Sequence, residues 1–268
     1  MSERSEPRAA AGPEGSLSAW WWLWLPLAAA LALLAVPHVS PAAYGSWIGG
    51  ERGLLEWLHV VIPLASLAVG LRILAMPEVR AHHLLWLWVG LATLGSLYIA
   101  GEEASWGQHY LRWTTPEPWQ AINDQGETNL HNTSSWLDQK PRAVLELGVV
   151  VGGILVPLAA LCRPAIRQAR LAIILPPMIC LPSALLAEFA RMSERAAEYF
   201  GAAGDLFDRA SEVQETYFYL FILLYLIVLR RRVGEPVGDH RSRAETGRRR
   251  PDRAGPGILD VRRSEGRR

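Results

Sequence analysis

Between Gly101 and Asn132 the chain reads GEEASWGQHYLRWTTPEPWQAINDQGETNLHN, two blocks of carboxylates, amides and imidazoles around a less polar centre. Glu102, Glu103 and Glu127 are groups that accept or deliver protons, and a carboxylate beside an activated water serves as a general base. His59, His131 and Glu103 would make a two-His, one-carboxylate set of the kind that binds zinc or iron. Glu56 and His59 are three residues apart and share a helix face, while Glu127 and His131, four apart, share one if their stretch is helical. His109 is a further candidate ligand, or else it points among lipid headgroups. The amides of Gln108, Asn123, Gln125, Asn129 and Asn132, with the Trp106 indole, could orient a polar headgroup or sugar, or simply satisfy the loop backbone. Glu188 and Arg191 lie one turn apart, with Arg191 an internal counter-ion or an anion contact.

These residues need elements to hold them, and composition says which kind. Half of the 268 residues are hydrophobic and twelve are Trp, rich for a soluble domain. A bilayer-crossing helix needs about 20 mainly apolar residues. Six segments qualify, approximately 19–37, 54–76, 84–100, 143–162, 171–190 and 213–229. The first is also readable as a secretory signal, but its apolar stretch and Trp-rich entry suit a retained helix. The third is short and continues into Gly101–Gly107. The fold class is therefore all-α, a polytopic transmembrane helical bundle of about six spans with an ordered, Trp-rich outer loop between helices three and four. In that loop Thr115-Pro116-Glu117 is expected to open a short helix with Thr115 as cap. Asn123–Gly126 reads as a turn.

Basic residues orient the bundle. Arg72 and Arg80, then Arg163, Arg167 and Arg170, then Arg230–Arg232 all fall on one side of six spans, which the positive-inside rule makes the cytoplasm. The expectation is a multi-pass protein of the inner cell membrane with both termini cytoplasmic: residues 1–18 and 230–268 disordered, 19–229 in the bundle, and outer loops at 101–142 and 191–212. The tail from Arg230 holds thirteen Arg against six acids, which suits contact with anionic lipid and gives no reason to expect nucleic acid. Sixteen of the twenty carboxylates before the tail then lie outside or at outer helix ends. Glu56, Glu102, Glu103, Glu146, Glu188, Glu212 and Glu215 come close to or inside the apolar boundary, where ionisable groups are expensive and mark function. Glu212 and Glu51 read as ordinary interface residues. Cys162 and Cys180 read as free buried thiols, with Cys180 near the middle of helix five.

GEEASWGQ and NDQGETNLHN resemble a group of bacterial polytopic membrane proteins that share Glu-Glu-x-Ser-Trp-Gly-Gln and Gln-Gly-Glu-x-Asn-Leu-His-Asn blocks, a group with no established activity. The likeness covers about Gly101–Asn132 and the helices around it. It implies that Glu102, Glu103, Trp106, Gln108, Gln125, Glu127, Asn129, His131 and Asn132 form one functional unit. No Gly-rich phosphate loop, Ser nucleophile elbow or His-Glu-x-x-His is present. Three functions remain open. One is a metal-assisted hydrolase or transferase acting on a lipid or lipid-linked headgroup, with zinc or iron on His59, His131 and Glu103 and Glu102 or Glu127 as base. Another is a non-enzymatic cation, proton or solute binding or transport protein. The third is an assembly partner docking through the Trp-rich loop. Against transport, no broken-helix pair is evident in the sequence.

Overall fold

The computed structural model describes residues 17–234, apart from 51–52, 124–125, 131–132, 164, 167–171 and 202–205. All regular structure among the described residues is helical. Six stretches are long and apolar enough to cross a bilayer, the mark of a multi-pass membrane protein. They are α1 (Trp20–Val39), α2 (Leu54–Leu74), α3 (His83–Glu103), α4 (Gln139–Cys162), a fifth span over Ala172–Phe200, and α6 (Ala210–Gly234). Within the fifth, only Leu181–Phe200 is α-helix, here α5.

α6 is the central helix, buried against α2 on one side and α5 on the other, and α2 carries α3. Its tyrosines explain how a helix with so many hydroxyls can be central, since a buried phenol needs a partner. Tyr217 Oη donates to the Pro26 carbonyl of α1 at 2.9 Å, and Tyr225 Oη donates to the Ile174 carbonyl at 2.8 Å. Where helices meet most closely, glycine makes the room. A Cβ at Gly70 would collide with Thr93 of α3, and one at Gly153 would lie 2.6 Å from the Phe221 ring and 2.7 Å from Ala184. Hydroxyls along α2 and α3 are satisfied locally: Ser66 donates to Ile62 O, Thr93 to Val89 O and Ser96 to Ala92 O.

Proline sets the irregularities. α4 widens into π-helix over Val150–Leu155, just ahead of Pro157. A proline has no N–H and its ring crowds the carbonyl four residues back, so the register slips to the next carbonyl. The fifth span departs further from the continuous helix expected over 171–190. Ala172–Ile174 and Met178–Cys180 are single 3₁₀ turns, separated by the Pro176-Pro177 break. Two prolines remove two donors and bias Leu175 away from helix. The carbonyls freed in this way cannot stay unbonded in lipid. α6 satisfies them: Arg232 Nη1 donates to Leu175 O at 2.6 Å and Ile173 O at 3.3 Å, and Tyr225 takes Ile174 O. A broken span thus exists where none was evident, and Cys180 sits at its helix start and not at mid-helix. Cys180 is buried, whereas Cys162 is exposed at the end of α4, contrary to the expectation of two buried thiols. α6 continues as helix through Arg230–Arg232 to Gly234.

Candidate functional site

α2 enters the bundle at the end where α3 leaves it and α6 begins, so Glu56 and His59, Glu102 and Glu103, and Glu212 and Glu215 meet at one level. His59 is 2% exposed. Its Nε2 lies 3.0 Å from the Glu212 carbonyl and 2.9 Å from Thr216 Oγ1. A carbonyl can only accept, so Nε2 carries the hydrogen. The Thr216 hydroxyl gives its own hydrogen to the same carbonyl at 2.9 Å, which leaves its oxygen as an acceptor. Nδ1 faces Glu103 Oε2, 3.4 Å away, and is bare whenever the ring is neutral. That separation is long for a hydrogen bond. It equals the edge of a tetrahedron whose centre is about 2.1 Å from each ligand atom.

Glu215 completes the cluster. Ligand atoms of His59, Glu103 and Glu215 all lie within 4.8 Å of one another. Each has an outer partner that fixes it. Tyr219 Oη donates to Glu103 Oε1 at 2.8 Å, and its ring meets the His59 ring edge-on at 5.4 Å between centroids. Arg142, from the start of α4, pairs with Glu215 at 3.1 Å and donates to Ser211 Oγ at 2.6 Å and Gln214 Oε1 at 2.7 Å. Arg209 ties the α6 entry to α2, pairing with Glu56 at 3.1 Å and with Glu212, and donating to Gly49 O at 2.5 Å. Beside it Tyr44 Oη donates to Asp208 O at 3.1 Å; burial, then the Asp208 carboxylate, hold that phenol above its usual range.

The loop residues form a second, adjoining network. Ser105, Trp106 and Gly107 all take positive φ (43°, 53° and 102°) and turn the chain sharply out of α3. Two non-glycine residues in that region store backbone strain, which the surroundings must hold. Glu102 does so, accepting from Trp106 Nε1 and from the Leu130 backbone N–H, each at 2.7 Å. Glu127 Oε2 accepts from Ser105 Oγ at 2.6 Å and Asn129 Nδ2 at 2.7 Å. Gln108 accepts from the Thr128 N–H at 2.8 Å and donates to Thr115 Oγ1 at 2.6 Å. Asn123 donates to Asn129 Oδ1 at 2.9 Å and accepts from the Glu127 N–H at 3.0 Å. The two polar blocks are thus laced to each other, and Glu102, Glu127 and Asn129 also line the cavity that holds the cluster.

Several expectations change. His131, Gln125 and Asn132 lie outside the described residues, as does the side chain of His109; among the described residues the carboxylate that joins His59 and Glu103 is Glu215. Glu127 through Leu130 is not helical, so no helical face unites Glu127 with His131. Glu212 is not a solvated interface residue: it is partly buried against Arg209. Thr115 does not cap the short helix, which begins one residue later at Glu117 with Pro116 before it; its hydroxyl donates to Gly126 O. Glu188 and Arg191 are on α5 away from the cavity, in a separate group where Arg191 pairs with Glu194 and Arg195 with Glu146. Sequence reasoning put Glu215 at the right level without assigning it to the cluster, and it did not single out Thr216, Tyr219 or Arg142. Those on α6 were recoverable, because Glu212, Glu215, Thr216 and Tyr219 recur at helical spacing and share one face of α6.

Fold and cluster together define a six-span helical membrane protein with a partly buried His–carboxylate cluster at one end of the bundle. No protein-family model, curated protein or solved structure matches the chain.

Proposed function

We propose that the protein is a metal-dependent hydrolase or transferase that acts on the headgroup of a lipid or lipid-linked substrate at the outer face of the inner cell membrane, with both termini cytoplasmic. The observation that carries this reading is the convergence of His59, Glu103 and Glu215 ligand atoms within 4.8 Å at the head of a cavity flanked by apolar helices. One imidazole and two carboxylates suit zinc or iron and leave a position for water. Such an ion, when bound, would supply Lewis-acid activation of a water nucleophile near neutral pH. His59 enters as the neutral ligand through Nδ1, held by Thr216 and the Glu212 carbonyl. Glu127, on the same cavity wall, is the general base, while Glu102, Gln108, Asn123 and Asn129 keep the loop folded over the site.

A second reading rests on Arg142. With His59 protonated, His59–Glu103 and Arg142–Glu215 balance as two ion pairs without any metal. Such a cluster would hold a proton or a small cation and carry no covalent chemistry. Purified protein reconstituted into vesicles of mixed phospholipid and diacylglycerol separates the two. Under the enzyme reading, mass spectrometry of the lipids shows a product that a strong chelator abolishes and zinc or iron restores. Product formation that ignores the chelator, or none from metal-loaded protein, overturns it.

A further inference from the structure

The polar cluster is only the head of a longer cavity of about 1920 Å³ that runs down the bundle between α3 and α4, with α6 behind. Its α3 wall extends from Glu103 to Trp88. Fifteen residues at 1.5 Å per residue make that wall about 22 Å long, longer than the ~15 Å depth of one bilayer leaflet. Below the carboxylates the lining turns apolar, with Leu91 and Ile99 on one side and Leu145 and Val156 on the other. Small residues keep it open: a Cβ added at Gly95 or Gly148 would meet nothing within 4 Å. The floor is closed by Trp88 Nε1 donating to Tyr225 Oη at 2.6 Å and by Pro176 of the broken span. That hydrogen bond leaves the floor no unmet donor to hold a water file, so the lower part suits hydrocarbon and not a polar solute.

Charge selects the head. Six glutamates line the cavity (Glu56, Glu102, Glu103, Glu127, Glu212 and Glu215) against three arginines (Arg112, Arg142 and Arg209). A divalent ion offsets only part of that excess, so a headgroup with net negative charge is repelled. We infer that the cavity takes an acyl lipid without net negative headgroup charge, which enters sideways from the bilayer between α3 and α4 and lays one chain along the groove, its headgroup linkage against His59, Glu103 and Glu215. The inference rests on the proposed function and names its substrate class.

The test uses the full chain in phosphatidylcholine vesicles doped with phosphatidylcholine carrying a photoactivatable diazirine on one acyl chain, followed by peptide mapping and metal analysis of the same samples. Labelling should concentrate on the groove walls of α3 and α4. Gly148→Trp and, separately, Gly95→Leu should cut it by about tenfold, the factor that loss of contact with about two methylenes gives. Gly90→Leu, which also points into open space but does not line the cavity, should leave it unchanged. The same probe on phosphatidylglycerol should label the groove several times less. Labelling spread evenly over all lipid-facing helices, or equal in Gly148→Trp, Gly95→Leu and Gly90→Leu, overturns the groove. Equal labelling by the two headgroups overturns the charge rule. Groove labelling in a protein that binds no metal upholds the lipid site and sinks the metal enzyme, so the two readings fail separately.

Discussion

Thr216→Val offers a sharp perturbation because it removes one hydroxyl and keeps the shape. In the native cluster His59 Nε2–H is shared between Thr216 Oγ1 at 2.9 Å and the Glu212 carbonyl at 3.0 Å. Outer partners of a metal-binding histidine are worth about 10–100-fold in metal affinity. Valine leaves the Glu212 carbonyl in place, so the tautomer survives and only part of the orientation is lost. The expected effect is the low end of that range, about tenfold in zinc affinity or about 1.4 kcal/mol. Competition between detergent-purified protein and a chromophoric zinc chelator measures it. Thr93→Val is the control, since the Thr93 hydroxyl donates within α3, to Val89 O at 2.7 Å. Zinc affinity within twofold of wild type in Thr216→Val, or an equal loss in Thr93→Val, would refute the reasoning that His59 is a ligand positioned through Nε2.

Further outcomes follow from the same geometry. Tyr219→Phe removes the donor to Glu103 Oε1, a hydrogen bond to a charged group worth about 1.5–3 kcal/mol, and should lower the unfolding free energy of the metal-free protein by that order in denaturant titration. Gly153→Leu should destabilise by at least the ~1–3 kcal/mol of an overpacked core, because its Cβ meets Phe221 and Ala184, whereas Gly148→Ala, in open space, should be close to neutral in the same thermal melts. Zinc affinity should fall steadily as pH is lowered, since the bare Nδ1 of His59 and the two carboxylates take up protons that the metal must displace; a pH-independent affinity would place the ion elsewhere. Glu127→Ala together with Gln108→Ala should open the loop after Gly107 to limited proteolysis while leaving α1 to α6 resistant, as Ser105 and Asn129 lose the Glu127 carboxylate and Thr115 and Thr128 lose the Gln108 amide.

Span number and fold class were legible because hydrocarbon allows few solutions: an apolar run of sufficient length must be helix. The approach of helices two, three and six at one level was legible too, through carboxylates that have no other reason to sit at membrane depth. Less visible were features that depend on partners distant in sequence. Pro176-Pro177 breaks the fifth span, and only the α6 side chains of Arg232 and Tyr225 make that break tolerable. Glu215 reads in the sequence as one of the carboxylates near the apolar boundary, but its neighbour Arg142 lies 73 positions away and no spacing rule links them. Glu102 and Glu103 look alike in sequence and differ in structure because consecutive helical residues point about 100° apart. One turns to the loop and holds Leu130 and Trp106, the other turns to α2 and meets His59.

The central claim, that His59, Glu103 and Glu215 hold a metal ion, is tested most directly by elemental analysis of the detergent-purified protein beside Glu103→Gln and Glu215→Gln. Near-stoichiometric zinc or iron in the wild type, lost from both glutamine variants while all three proteins remain folded, is the predicted result. A folded wild type without metal, or metal retained by both glutamine variants, would contradict it.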